Sequence, residues 1–472
     1  MGKYDFDILV IGLGPAGMAV AAMGAEMGLK VCAVEKNRIG GECLNVGCIP
    51  SKALLRIAKT RHTFAGLKEM ALSGSVLPEP GDLFGKIAAD LQYINDNKTV
   101  GMFKKVDLRL GEGAASFVDP HTVEVAGKKI SAQRIFIATG TRPRLLPIPG
   151  LDGVEVLTNE NIFHLDKVPR SLAIIGGGAI GCEMAQAFSR LGCPCSIVQA
   201  DPFLIPNGDP EAGELLEKVF AAEGIQVYNA RRIESIEKKD DDVSIRTDRG
   251  EIITGERLLM AAGRTIDLSS LKLEHAGIET TPAGAVRVDR YLRTSRKNVF
   301  AVGDCNGHWQ LSHAAMHQGM IALMNCLLPW KAKRDFLGYA VPWAVFTEPQ
   351  VSYVGLREKE LKEQNIRYET IRVNYGDYGA AIAENVATGF VKVFAGRAGK
   401  ILGVSIVGEG SGEMINEWAL AIQKKIRLHD ILLQQHAFPT MGFLSKRAAE
   451  VWMMKKMGSI TLQKICRWLF RR

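Results

Sequence analysis

A short apolar strand running into a glycine turn and then an alanine-rich helix occurs twice in this chain. That repetition limits the possible folds more than any other feature. In the first copy, residues 7 to 11 (DILVI) enter Gly12-Leu13-Gly14-Pro15-Ala16-Gly17, and a second strand, KVCAVE, ends at Glu35. In the second, residues 172 to 175 (LAII) enter Gly176-Gly177-Gly178-Ala179-Ile180-Gly181, and the strand CSIVQ ends at Gln199. The last glycine and the strand-end residue are 18 positions apart in both copies. Each copy reads as a βαβ unit whose glycines permit a tight turn and let a pyrophosphate approach the helix N-terminus. One such fingerprint is weak evidence for a dinucleotide site; two, each in strand–turn–helix context, are strong. Glu35 can accept hydrogen bonds from both ribose hydroxyls of an adenosine, as an FAD or NAD site requires. Gln199 is neutral and leaves NAD(H) and NADP(H) both open, with Asp201 tilting slightly against a 2′-phosphate.

One short loop after the first unit comes GGECLNVGCIPSKALL, residues 40 to 55, with Cys43 and Cys48 five positions apart. On a regular helix such a pair would have Cα atoms roughly 8 to 9 Å apart, whereas a disulfide needs about 4.4 to 6.8 Å. The segment must therefore bend between the cysteines, and Gly47 supplies the freedom to do so. A strained sulfur pair beside a cofactor is one that cycles rather than one that braces the fold. Two dinucleotide sites and one dithiol imply an electron relay, with FAD in the first unit because the cysteines follow it directly and the nicotinamide in the second.

The remaining segments fit around this pair. IFIATG, ending at Gly140, and LLMAAGR, with its turn at Gly263, each read as an apolar strand with a glycine turn. NVFAVGD reads as a buried strand whose C-terminal end carries Asp304, where open α/β sheets make ligand contacts. From about Trp343, the strands VSYVG, GFVKVFA and ILGVSIVG precede long helical stretches, which suggests a separate α+β domain. The fold class expected is α/β, with two Rossmann-like domains and a C-terminal α+β dimerisation domain. The boundaries expected are 1–146 for the FAD domain, 147–270 for the NAD(P) domain, 271–342 for a central domain completing the FAD site, and 343–472 for the interface domain.

Composition excludes several classes. The formal charge of +8 is modest and spread out except at the C-terminus, so nucleic acid is not an expected partner. Nine cysteines at irregular spacings do not form a secreted disulfide framework. Cys32, Cys182, Cys193, Cys195, Cys305 and Cys326 lie in apolar or glycine-rich contexts as buried small hydrophobes. The C-x-C pair at Cys193 and Cys195 has no second ligand pair nearby, so no metal site is expected. The N-terminus runs straight into a strand with no room for a signal peptide, and no apolar run of about 18 residues exists. A cytoplasmic protein is expected.

These residues together resemble the pyridine nucleotide-disulfide oxidoreductases, in particular the dihydrolipoamide dehydrogenase and mercuric reductase branch. The likeness covers essentially the whole chain, through both fingerprints, C-L-N-V-G-C-I-P-S-K, A-T-G, A-G-R, G-D and F-T-E-P-Q-V in the same order. It implies a homodimer using FAD and NAD(H) or NADP(H). By resemblance, Cys43 is the interchange thiol that meets substrate and Cys48 the thiol against the flavin. Lys52, paired with Glu183, would sit near flavin N5. Asp304 would hold the ribityl chain, and Ala115 and Ser312 would touch FAD through the backbone.

One departure matters. Where dihydrolipoamide dehydrogenases have a His-Pro-Thr-x-x-Glu run, whose histidine serves the partner subunit as general acid/base, this chain has Phe438-Pro439-Thr440-Met441-Gly442-Phe443. Neither phenylalanine transfers a proton, and loss of a positioned base removes about 10² to 10⁴-fold in rate. His436 and Glu42 are the nearby groups that can stand in, and Glu42 can instead raise the thiol pKa by charge repulsion. FPTM resembles the YPTM of mercuric reductases, yet the tail holds only Cys466 where those enzymes usually carry a cysteine pair. The expected acceptor is a small-molecule or carrier-bound disulfide that asks little proton transfer of Cys43, such as a persulfide or lipoate on a specialised carrier. The alternatives are a metal-ion or quinone reductase, a diaphorase using the flavin alone, and a docking subunit. The tail SITLQKICRWLFRR reads as a basic amphipathic helix with Ile460, Ile465, Trp468 and Leu469 on one face, able to lie on a membrane or to pack on the partner subunit, and packing is the favoured reading because the preceding interface domain already needs apolar partners.

Overall fold

The computed structural model describes residues 3–74 and 76–471. Its first sheet is built around the strand Phe6–Ile11, which lies between Val31–Glu35 and Lys128–Ile137, with Asp107–Leu110 outside Val31–Glu35; all these pairings are parallel. Lys128–Ile137 has two roles. Its second half pairs with the parallel strand Val299–Ala301, and its first half begins an antiparallel meander with Thr122–Val125 and Ser116–Asp119. The strands read as continuous Val/Ile/Ala runs because both faces of the parallel part are covered.

The second βαβ unit builds its own five-stranded parallel sheet, in the order Gln226–Tyr228, Cys195–Val198, Leu172–Ile175, Arg257–Met260, Val156–Leu157. A three-stranded antiparallel sheet, Ile233–Lys239, Asp242–Thr247 and Ile252–Gly255, packs against it. The two units are stitched by a short antiparallel pair, Arg142–Pro143 with Arg264–Thr265. From Trp343 onward a five-stranded antiparallel sheet forms, with Ser411–Lys424 and Phe443–Met457 packed on it over a core centred on the fully buried Trp418.

The two glycine fingerprints fold alike down to the atomic contact. Gly12 (φ +95°) and Gly176 (φ +110°) begin the turns. A Cβ on Gly17 would stand 1.9 Å from the Gly12 carbonyl oxygen, and one on Gly181 1.9 Å from that of Gly176. No side chain fits at either place, so glycine there is a steric requirement of helix-on-strand packing.

Helix packing then fixes the chemistry. The first fingerprint helix, Pro15–Glu26, lies along Ser312–Leu327, and the helix Cys48–Ala65 lies along the second fingerprint helix, Ala179–Arg190. The six cysteines read as small hydrophobes are buried, except Cys326, which is half-buried.

The last helix, Ile460–Phe470, begins after an N-cap at Ser459. At 100° per residue, Ile460 stands about 180° from Leu469 and belongs to the basic side. The single face expected for Ile460, Ile465, Trp468 and Leu469 is therefore corrected: Leu462, Ile465 and Leu469 form the middle of the apolar side, and Trp468 and Phe470 flank it on either edge. No helix among the described residues is long and apolar enough to cross a membrane.

Candidate active site: a dithiol in a two-nucleotide cleft

A cleft of about 1540 Å³ runs from the first glycine turn to the interface sheet. Gly12, Gly14, Glu35, Cys43, Cys48, Lys52, Ala115, Gly140, Glu183, Asp304 and Ser312 all line it. The structure thus brings together residues separated by up to 300 positions. Gly17 lies beneath the turn, while Gly176, Gly178, Gly181, Gln199 and Gly263 form the second turn region outside this cleft.

The cysteine segment bends where the spacing requires. A short helix, Gly41–Asn45, stops at Val46, and a new helix starts at Cys48 after Gly47, whose backbone sits at φ −136° and ψ −113°. A Cβ on Gly47 would come 2.9 Å from the Glu42 carbonyl oxygen, so the kink depends on that glycine. The bend lets the two thiols hydrogen-bond to each other, Cys43 donating to Cys48.

That hydrogen bond divides the two sulfurs electrostatically. Cys48 is pulled down to about 6, first by the bond from Cys43, then by the Ser312 hydroxyl and the Lys52 charge, against the opposing effect of burial. Cys43 moves upward because it holds the shared proton and is itself buried. The reduced pair is one thiolate and one thiol.

Ser312 does more here than the backbone contact its position implied. Its Oγ lies 3.2 Å from Cys48 Sγ, at the first turn of Ser312–Leu327. A hydroxyl there donates to the thiolate, and a hydrogen bond to a charged group contributes about 1.5–3 kcal/mol. Ser312→Ala is therefore expected to raise the Cys48 pKa by roughly one to two units. Iodoacetamide alkylation rate against pH reads that midpoint; an unmoved midpoint removes Ser312 from the site.

Around the dithiol, Lys52 Nζ lies 2.9 Å from Glu183 Oε2 and 4.3 Å from the centroid of Phe346. Glu183 also accepts the Phe346 backbone N–H at 2.9 Å, so one buried carboxylate fixes both the cation and the ring beneath it. Glu42 turns toward Arg264 and Asn159. Burial raises its carboxyl against the pull of Arg264. Arg264 also donates to Thr141 at 2.6 Å and lies 3.9 Å from Asp304, whose carboxyl is likewise raised by burial. This Glu42–Arg264–Asp304 link escaped sequence reading; the arginine of A-G-R was its only trace.

His436 lies elsewhere on the protomer. Its Nε2 is 2.9 Å from Glu417 Oε1 and its Nδ1 3.4 Å from the Gln434 carbonyl. Phe438 is 72% exposed and meets Phe443 edge-on at 5.3 Å, while Phe443 stacks on Tyr378 at 6.0 Å.

The residues present fit FAD. The helix Pro15–Glu26 starts with no side-chain cap, and Gly14 faces open space, which leaves its first N–H groups free for a diphosphate. The Glu35 carboxylate, oriented by the N–H groups of Leu13 and Asn37 at 2.8 Å, stands where an adenosine ribose needs it.

Two sheets that each carry a glycine fingerprint, a thiolate–thiol pair between them and an antiparallel C-terminal sheet define a flavin-dependent disulfide oxidoreductase. The sequence profile of the pyridine nucleotide-disulphide oxidoreductases matches residues 6–319, and that of their dimerisation domain matches residues 341–448. The chain belongs to this family, whose members depend on FAD and use NAD(P)H, and the dimerisation domain supports a homodimer. Among similar proteins, a dihydrolipoyl dehydrogenase of Thermus scotoductus is 33% identical over 456 residues, covering 94% of this chain and 97% of its own. A mercuric reductase of Bacillus cereus is 31% identical over 453 residues, covering 93% of this chain and 70% of its own. In structure, the HOCl-induced flavoprotein disulfide reductase RclA from Escherichia coli superposes with a TM-score of 0.84 at 25% identity, over 95% of this chain and all of that one.

Proposed function

We propose that this flavoprotein carries electron pairs between a nicotinamide nucleotide and the Cys43–Cys48 pair, and from there to an acceptor that asks little proton transfer of Cys43. The observation that carries the reading is the unequal sulfur pair, with Cys48 near 6 and beside Ser312, in the same cleft as Gly14, Glu35 and Asp304. Bound FAD supplies the two-electron exchange between hydride donor and dithiol. In this scheme Gly12, Gly14 and Glu35 hold the adenylate half, Asp304 and Ala115 contact the rest, and Gly176, Gly178, Gly181 and Gln199 receive the nicotinamide nucleotide. Lys52, held by Glu183, compensates negative charge as it arrives. Opening the disulfide takes two electrons and one proton, giving the Cys48 thiolate and the Cys43 thiol. Cys43 then meets the acceptor. The domain boundaries at 146, 270 and 342 are part of the same proposal.

Phe438 and Phe443 stand where a lipoamide-handling dyad belongs, so free dihydrolipoamide is a poor substrate. A disulfide or dithiol on a specialised carrier, or a persulfide, fits better. His436, whose Nε2 lies 2.9 Å from Glu417 on the same protomer, remains the candidate stand-in for the absent base. A second reading, a soft metal ion as acceptor, is favoured by the dithiol itself, by the mercuric reductase relatives and by the solved Cu(II) complex of RclA, which is 26% identical to this chain. We place the enzyme in the cytoplasm, with its last helix making a peripheral membrane contact.

An anaerobic titration with NADH and then NADPH tests the relay. A long-wavelength thiolate–flavin band that grows on reduction and halves near pH 6 is the expected result. Simple bleaching assigns the protein to flavin-only diaphorase chemistry, and no reduction by either nucleotide assigns it to docking.

A further inference from the structure

The helix Ile460–Phe470 has no buried residue. Of its apolar side, Ile465 is 48% exposed, Trp468 and Leu469 each 56%, and Phe470 95%. The opposite side carries Lys464 and Arg467, with Arg471 at the C-cap, and between Glu450 and the end of the chain the sequence has no Asp or Glu. The neighbouring helix continues the surface with Met454 and Met457, which are 67% and 50% exposed. Polar residues alone would suffice for a solvated tail, so so much exposed apolar surface needs a cover. The match to the family's dimerisation domain ends at residue 448, before this helix begins, and the one sign of charge along the helix favours an anionic cover.

An amphipathic helix with a wide apolar side and cations on the other lies in the plane of a bilayer interface, its rings and aliphatic groups among the acyl chains and its cations at headgroup level. The uniform sign of the charge selects the lipid, because anionic headgroups attract each cation and zwitterionic ones do not. We infer that Ile460–Phe470 is a docking element for anionic phospholipid, which seats the enzyme flat on a negatively charged membrane. This rests on the peripheral contact proposed above and is independent of the relay. Seated there, the enzyme meets acceptors dissolved in or carried at the bilayer surface.

The test is sedimentation of the full-length, FAD-loaded protein with phosphatidylcholine vesicles, with and without phosphatidylglycerol, at low and high salt. Three cations near the surface predict binding about a hundredfold stronger to vesicles with phosphatidylglycerol, and largely lost at high salt. Lys464→Glu/Arg467→Glu should abolish the preference, and Trp468→Glu/Leu469→Glu should abolish binding, with flavin content and NADH oxidation unchanged in both. Equal binding to both vesicle types overturns the anionic-lipid inference and leaves the peripheral contact standing. Protein that stays in the supernatant throughout overturns both. Conversion of the dimer to monomer by Trp468→Glu/Leu469→Glu in size-exclusion chromatography with light scattering also overturns the inference, by assigning the apolar side to the partner subunit.

Discussion

Cys43→Ser is expected to lower disulfide-acceptor turnover by about three orders of magnitude or more, while NADH still reduces the bound flavin at close to the normal rate. The split follows from the unequal sulfurs. Cys43 carries the shared proton and in the proposed relay is the thiol that meets substrate, whereas Cys48 is the thiolate held by Ser312 and Lys52. Stopped-flow reduction followed by steady-state turnover with a model disulfide or a soft metal ion separates the two steps. If turnover survives the substitution, acceptors take electrons from the flavin directly and the dithiol is a bystander.

Restoring the missing dyad should act in the opposite direction. Phe438→His with Phe443→Glu is expected to raise dihydrolipoamide oxidation by about 10²-fold or more, the range a positioned base contributes. The two phenylalanine rings are 5.3 Å apart, so an imidazole and a carboxylate placed there are in reach of one another. Phe438 is largely exposed and tolerates the change, whereas Phe443 stacks on Tyr378 and carries more risk to stability. A thermal melt and the flavin content of the double variant guard against reading misfolding as inactivity. An intact, flavin-loaded variant with no gain would mean that the pocket excludes lipoamide by shape and not through the absent base.

Much of this molecule is legible in its sequence, for identifiable reasons. The glycine fingerprints are steric necessities: Gly17 and Gly181 each sit where any Cβ would strike a carbonyl oxygen, so the pattern survives in the letters. The bend between Cys43 and Cys48 follows from disulfide geometry and falls at Gly47. Contacts between distant segments are what the sequence hides. Nothing local in LSHAAM announces that the Ser312 hydroxyl reaches Cys48, because that contact depends on how Ser312–Leu327 packs along the first fingerprint helix. Arg264 joins Glu42 to Asp304 only because two short strands at Arg142–Pro143 and Arg264–Thr265 pair between the units. The face of the last helix departs from the expected one for a simpler reason: Ile460 and Leu469 are nine positions apart, which is two and a half turns, and they point in opposite directions.

The depressed Cys48 thiol also sets the proton stoichiometry of the couple, and with it the thermodynamic pull on any acceptor. Above about pH 6, reduction consumes one proton for two electrons, so the midpoint potential falls by about 30 mV for each pH unit. Below that point both sulfurs take up a proton and the slope doubles to about 59 mV. Acidification down to about pH 6 thus alters the reducing power of this enzyme half as steeply as that of an ordinary dithiol.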